Sequence, residues 1–110
     1  MKPAIQYPDF DKLDVRIGTV VSATLPDWSN KLIKLEVDFG EEIGTRTIFS
    51  GIRKWYQPDD FVGKQYAFLI NLEPKKMGEE ESQGMMLMAD ADRPIPLVLP
   101  EKVDNGSMVR

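Results

Sequence analysis

LDVRIGTVVSA, residues 13–23, decides the fold of this chain because its side chains alternate with a period of two. One face carries Leu13, Val15, Ile17, Thr19, Val21 and Ala23, and the other carries Asp14, Arg16, Gly18, Val20 and Ser22. This alternation predicts a long β-strand. Gly18, in the middle, predicts a sharp bend or bulge, as a strand that turns the corner of a barrel needs.

Four further strands and one helical turn are predicted beyond this strand. The strands are Lys31–Phe39, Thr45–Ser50, Lys64–Asn71 and Met85–Ala89, and the last two are apolar on both faces, which is typical of covered strands. Pro58, two aspartates and then Gly63 predict a single helical turn between the third and fourth strands. This order is that of an all-β OB-fold, a five-stranded Greek-key barrel, although other small barrels share the strand number.

The two ends of the chain are predicted to be extensions of one domain spanning residues 1–110. In residues 1–12, Pro3 and Pro8 discourage a helix, but a short turn over Pro8–Lys12 could pack Phe10 onto the core. In residues 91–110, three prolines exclude a central strand, and Ser107–Arg110 is a candidate edge strand.

Composition excludes several kinds of site. The chain has no cysteine and no histidine, so a disulfide, a nucleophile–histidine pair and a histidine-ligated zinc are impossible within it. A carboxylate-only active site stays open, but Asp59 and Asp60 have no carboxylate partner and are better interpreted as helix-start residues. We therefore expect no enzyme, no metal and no cofactor. The N-terminus has no apolar signal-peptide segment, and the absence of cysteine fits a reducing, cytoplasmic setting.

The charged residues leave nucleic-acid binding open. A formal net charge of −4 argues against broad, salt-driven binding but does not exclude a local basic patch. The basic residues are bunched as Lys31 and Lys34, Arg53 and Lys54, and Lys75 and Lys76. They either form one patch or solvate the surface separately, and composition alone does not choose between these alternatives.

Three blocks of the sequence resemble the tRNA-binding domain family. They are Asp14–Gly18 followed by Lys31-Leu32, then Ser50–Tyr56, and then Asn71–Lys75 followed by Gly78 and Ser82–Met85. This family includes the C-terminal domain of bacterial methionyl-tRNA synthetases and endothelial monocyte-activating polypeptide. Both termini are similar to those of stand-alone CsaA proteins, homodimers described as tRNA-binding and as chaperones linked to secretion. The resemblance implies an OB-fold, a homodimer interface made by residues 1–12 and 91–110, and RNA contact on one side of the barrel.

The RNA-binding residues that this resemblance implies are Lys31, Arg53, Asn71, Lys75, Lys76, Ser82 and Met85. The Asn71 amide offers donors and acceptors to a base edge or ribose hydroxyl, and its alternative role is to stabilise a turn. The two adjacent lysines suit phosphates. Ser82 suits a phosphate or 2′-hydroxyl, and Met85 suits a base or sugar face unless it fills the core.

Two neighbouring features are harder to interpret. The glutamates 79–81 would repel a phosphate; they either keep the lysines extended or restrict which RNA shape fits. Trp55 and Tyr56 could stack on RNA beside Arg53, but we expect them to cap the core beside Phe61.

The favoured hypothesis is a non-enzymatic, homodimeric tRNA-binding protein that recognises the shape and backbone of tRNA. The alternative is a chaperone that binds unfolded or precursor polypeptides and assists protein export. Its groove would come from the methionines near residue 85 and from Ile95–Leu99, although Met86, Leu87 and Met88 are expected in the core. No membrane insertion is expected.

Overall fold

The computed structural model describes all residues from 1 to 110. Its elements are α1 (Tyr7–Asp11), β1 (Val15–Thr24), β2 (Ile33–Asp38), β3 (Thr45–Ser50), the 3₁₀ turn η1 (Pro58–Asp60), β4 (Gln65–Leu69), β5 (Lys75–Met77), β6 (Glu80–Ser82), β7 (Met85–Met86), β8 (Met88–Asp90), β9 (Pro94–Pro96) and β10 (Met108–Val109). None of the helices has the length and apolar character that a membrane crossing requires.

The main sheet is antiparallel, with the order β3-β2-β1-β4-β7, and it nearly closes on itself. Closure runs through Gln83, whose backbone N–H donates to the Thr47 carbonyl at 2.8 Å. The Gln83 side-chain oxygen accepts from the Thr47 N–H at 2.9 Å. With η1 between β3 and β4, this arrangement confirms the predicted OB-fold.

Strand β1 bends, because its first half pairs with β4 and its second half with β2. The register shifts between Val20 and Ser22, so that Val20 and Ala23, three residues apart, both pack on the core. The strict alternation predicted for residues 13–23 is therefore kept as far as Val20 and is wrong after it, since the bulge shifts the later residues by one position. Gly18 itself is required by close packing: a Cβ atom there would lie 2.6 Å from Val37 Cγ1.

The core fills the barrel with side chains from β1–β4, β7 and the neighbouring turns. Its members are Val20, Ile33, Leu35, Val37, Phe39, Ile48, Ile52, Phe61, Tyr66, Phe68, Ile70 and Met86. Phe39 meets Phe68 edge to face with 5.4 Å between ring centroids, a favourable aromatic geometry.

In the segment before η1, only one of the two aromatic residues Trp55 and Tyr56 is directed into the core, although both were expected there. The Ile52 carbonyl accepts from the N–H groups of Trp55 and Tyr56, which makes a tight turn. In that turn Ile52 and Tyr56 face inward, and Tyr56 packs on Phe61 at 5.5 Å. Trp55 faces outward and is 42% exposed. The prediction is thus wrong for Trp55, because the turn gives adjacent residues opposite directions.

The fifth predicted strand, Met85–Ala89, is divided in two. Strand β7 pairs with β4, and after Leu87 the chain changes partner, so that β8 pairs with β9. Two of the three residues of β9 are prolines, which lack an N–H donor and suit an edge position, as predicted. Strand β10 pairs with the start of β1, as the candidate edge strand at Ser107–Arg110 requires.

The N-terminal extension forms helix α1 with Pro8 in its first turn, where a missing N–H costs nothing. No residue of this helix is buried. Phe10 is 39% exposed and contacts the Tyr7 ring rather than the core. The expected packing of Phe10 onto the core is therefore absent within one chain.

Candidate nucleic-acid interface

The charged segment after β4 forms a β-hairpin, made by β5 and β6. Lys75 pairs with Ser82, Lys76 with Glu81, and Met77 with Glu80. Gly78 occupies the first position of the two-residue turn with φ +61°, as a type II′ turn requires. Because side chains alternate across a strand, the two lysines lie on opposite faces of the hairpin.

The hairpin lies on a tryptophan. A Cβ atom at Gly78 would be 2.6 Å from the Trp28 ring, so the turn backbone is in close contact with the indole. Trp28 in turn packs on Phe49 of β3, with 5.5 Å between ring centroids. The loop before β2 therefore supports the tip of the hairpin.

Ser82 ties the base of the hairpin to the barrel. Its hydroxyl accepts from the Phe49 N–H at 3.0 Å and donates to the Gly84 carbonyl at 3.0 Å. Ser82 is only 5% exposed. Both hydrogen bonds are internal, so the hydroxyl is occupied by the chain itself.

An ion pair offsets one of the three glutamates. The Lys34 ammonium lies 2.6 Å from Glu80 Oε1 and 3.9 Å from Glu36 Oε1. The hydrogen bond to Glu80 raises the pKa of Lys34 above its ordinary value, and both carboxylates add to this rise. Since Glu80 and Lys75 share the inner face of the hairpin, Lys75 has a neutralised neighbour, whereas Lys76 lies opposite Glu81 on the outer face.

The loop at residues 26–31 adjoins this hairpin through Trp28, and the loop at residues 51–55 adjoins that loop. The Arg53 N–H donates to the Lys31 carbonyl at 3.2 Å. Arg53 Nη1 donates to the carbonyls of Ser29 and Pro26, at 2.5 and 3.3 Å. Arg53 therefore holds the two loops together, while the side chains of Lys31 and Lys54 are exposed.

The Asn71 side chain makes two hydrogen bonds within the chain. Its Oδ1 accepts from the Asp14 N–H at 2.8 Å, and its Nδ2 donates to the Lys12 carbonyl at 2.7 Å. These bonds fasten the N-terminal segment to the end of β4 and match the turn-stabilising alternative for this residue. Among the methionines, Met86 is buried and Met88 packs against the core, whereas Met85 is 46% exposed.

The predicted residues thus fall into two groups. Lys31, Lys75 and Lys76 have exposed side chains around one connected surface, and Met85 is exposed outside it, on β7. Arg53, Asn71 and Ser82 bond within the chain. We call the connected surface, formed by residues 26–31, 51–55 and 75–82, the hairpin face. Nothing here forms a metal centre, since no group of three carboxylates could hold an ion.

Sequence reasoning missed two residues that support this face. Trp28 lies between the first two predicted strands, where no pattern singles it out, and Lys34 enters the sequence analysis only as part of a basic pair. The period-two pattern places Lys34 outward from β2, which could have signalled a surface pairing. No local pattern joins it to Glu80, 46 residues away.

Comparison with known proteins identifies the chain. Residues 15–108 match the model of the tRNA binding domain family. The chain belongs to this family. It is 48% identical over 105 residues to the methionine–tRNA ligase of Methanococcoides burtonii, matching 94% of this chain but only 15% of that ligase. The same ligase of Porphyromonas gingivalis is 44% identical over 108 residues, which cover 96% of this chain and 16% of the ligase.

Two solved structures of similar size match over their whole length. A MetRS related protein from Pyrococcus horikoshii has a TM-score of 0.91 and 35% identity, covering 99% of this chain and 100% of its own. The chaperone CsaA from Bacillus anthracis has a TM-score of 0.87 and 31% identity, covering 98% of this chain and 100% of its own. These relatives share the barrel together with its extensions.

Proposed function

We propose that this chain is a non-catalytic tRNA-binding protein that uses the hairpin face to contact the RNA backbone. The observation that carries the proposal is the ion pair between Lys34 and Glu80, because it offsets the carboxylate on the face of the hairpin that presents Lys75. The family membership supports tRNA as the partner. Lysine side chains that contact phosphates fix the position of an RNA without reading its sequence, so shape and backbone are the recognised features.

The two hairpin lysines give a direct test. We expect K75E to weaken tRNA binding at least about tenfold, since a charge-assisted contact to phosphate is lost and a repulsion is added. K76E should cost less, because Lys76 lies opposite Glu81. The measurement is fluorescence anisotropy with labelled tRNA at fixed salt.

A matched control carries the same charge change elsewhere. Lys64 is exposed and precedes β4, whereas Lys75 follows it, so the two lysines lie beyond opposite ends of that strand. K64E should leave the affinity within about twofold, as expected for a surface charge away from the site. If K64E and K75E lose the same amount of tRNA affinity, the effect comes from net charge alone, and the assignment of the hairpin face is wrong.

We also propose that the chain is a homodimer joined through residues 1–12 and 91–110. The support is the amount of apolar surface on these extensions: Ile5 and Tyr7 are each 67% exposed, and Val98 is 76% exposed. Exposed apolar surface marks interaction sites, and a second copy of the chain would cover these side chains on both extensions. In sedimentation velocity, V98E should shift the protein towards monomer, whereas V62E, a change at an exposed valine near η1, should not.

A second candidate function is the binding of unfolded polypeptides. It is favoured by one comparison, since the structural relative from Bacillus anthracis is described as a chaperone. The same apolar extensions would supply the surface. If wild-type protein suppresses aggregation of an unfolded client and V98E does not, peptide binding is supported. Unchanged aggregation in the presence of the wild type would count against it.

A further inference from the structure

We propose that the indole of Trp55 is a stacking platform for an unpaired nucleobase of RNA. The inference rests on the proposed function and adds to it the kind of RNA feature that is recognised. Trp55 is 42% exposed, although the residues on either side of its turn, Ile52 and Tyr56, point into the barrel. The indole has no aromatic partner in the chain, in contrast to Trp28, which packs on Phe49.

The backbone under Trp55 is held in place before any ligand arrives. Its N–H donates to the Ile52 carbonyl at 3.0 Å, and Ile52 is 2% exposed. On the other side, the Tyr56 hydroxyl donates to the Pro94 carbonyl at 2.7 Å. A platform that is already ordered costs little conformational entropy on binding, which is what an exposed aromatic contact needs.

The surroundings of the ring suit a nucleotide. The Lys54 ammonium lies 5.4 Å from the ring centroid of Trp55, within the range of a cation–π interaction. A cation beside an aromatic ring can neutralise the phosphate of the base that stacks there.

The platform is continuous with the hairpin face. The Arg53 N–H bonds to the Lys31 carbonyl, so the turn that carries Trp55 adjoins the exposed Lys31. Backbone contacts by lysines would position the RNA, and the indole would hold one base that is not paired. Because every base has a flat face, this contact selects for single-stranded structure rather than for sequence.

Fluorescence isolates the indole, since the chain has two tryptophans. In the W28F protein only Trp55 emits when excitation is at the long-wavelength edge of indole absorption, where the tyrosines do not absorb. We expect oligoadenylate of about eight nucleotides, a length within the site sizes of single-strand binders, to quench this emission. A duplex RNA of equal length should quench it much less. Equal quenching by both RNAs would overturn the proposal.

The affinity for the oligoadenylate then shows whether the Trp55 ring stacks on a base or only packs within the protein. We expect W55L to weaken binding of the oligoadenylate about 5- to 150-fold, the range that stacking of one base provides, and W55F to keep most of the affinity. V62A, at a valine that is also 42% exposed, should bind as the wild type does. Wild-type affinity in W55L, or a change of oligomeric state in that variant, would overturn the proposal.

The proposed tRNA-binding function and the proposed stacking platform can each be wrong without the other. If K75E loses tRNA and W55L keeps both tRNA and oligoadenylate, the stacking platform is wrong and the proposed function stands. If the wild type fails to bind tRNA but binds oligoadenylate in a way that depends on Trp55, the proposed function is wrong and the platform stands.

Discussion

Replacing Ser82 with alanine tests whether this residue supports the fold or contacts RNA. The hydroxyl is the acceptor for the Phe49 N–H, a buried donor in β3. Alanine leaves that N–H without a partner, which costs about 1–3 kcal/mol of the free energy of unfolding. At roughly 2 cal/mol/K of unfolding entropy per residue, this loss lowers the Tm by about 4–13 °C.

The assay compares thermal unfolding with tRNA affinity measured well below the Tm. S22A, at an exposed serine beside the bulge of β1, should change the free energy of unfolding by less than about 0.5 kcal/mol. We expect S82A to lower the Tm and to leave the affinity within about twofold. A normal Tm together with a large loss of affinity would contradict the structural role of Ser82, because the hydroxyl would then contact RNA directly.

Three further predictions concern the hairpin and alkaline stability. G78A should destabilise the protein more than G44A: both glycines have positive φ, but only the Cβ at Gly78 would meet Trp28, so the difference in Tm reports that contact. K34M should loosen the hairpin, seen as faster amide exchange in β5 and β6 with little change in the rest of the barrel. The hydrogen bond to Glu80 raises the pKa of Lys34, and burial raises the pKa of Tyr66. Because both pKa values are higher in the folded state than in the unfolded state, their contribution to stability is complete below about pH 10 and is lost as the pH rises through the folded-state values. Y66F should therefore show a shallower alkaline decline in the free energy of unfolding than the wild type.

The barrel could be predicted because its strands carry regular local patterns. Residues 33–39 alternate strictly, and the glycine and proline positions mark each turn. The bulge after Val20 could not be predicted in register, because it depends on how β1 divides its pairing between two neighbours. The division of the fifth strand has the same cause, since Leu87 lies where the chain changes from β4 to β9 as its partner.

The sequence predicts only part of the candidate site. Lys75 and Met85 are exposed, as a contact residue must be, and their motif positions are local. Asn71 and Ser82 belong to the same motif, yet each makes hydrogen bonds to backbone groups 33 to 59 residues away. A motif can mark a residue that shapes the site as readily as one that contacts the ligand, and only tertiary contacts distinguish the two.

The salt dependence of tRNA binding measures whether Lys75 contacts an RNA phosphate. For wild type and K75E, the logarithm of the affinity is measured against the logarithm of the salt concentration from about 50 to 300 mM, where each phosphate contact adds close to 0.9 to the slope. We expect a shallow wild-type slope, since few lysines face the RNA, and a slope lower by about one in K75E. Parallel lines for the two proteins would contradict phosphate contact at Lys75 and, with it, the assignment of the hairpin face.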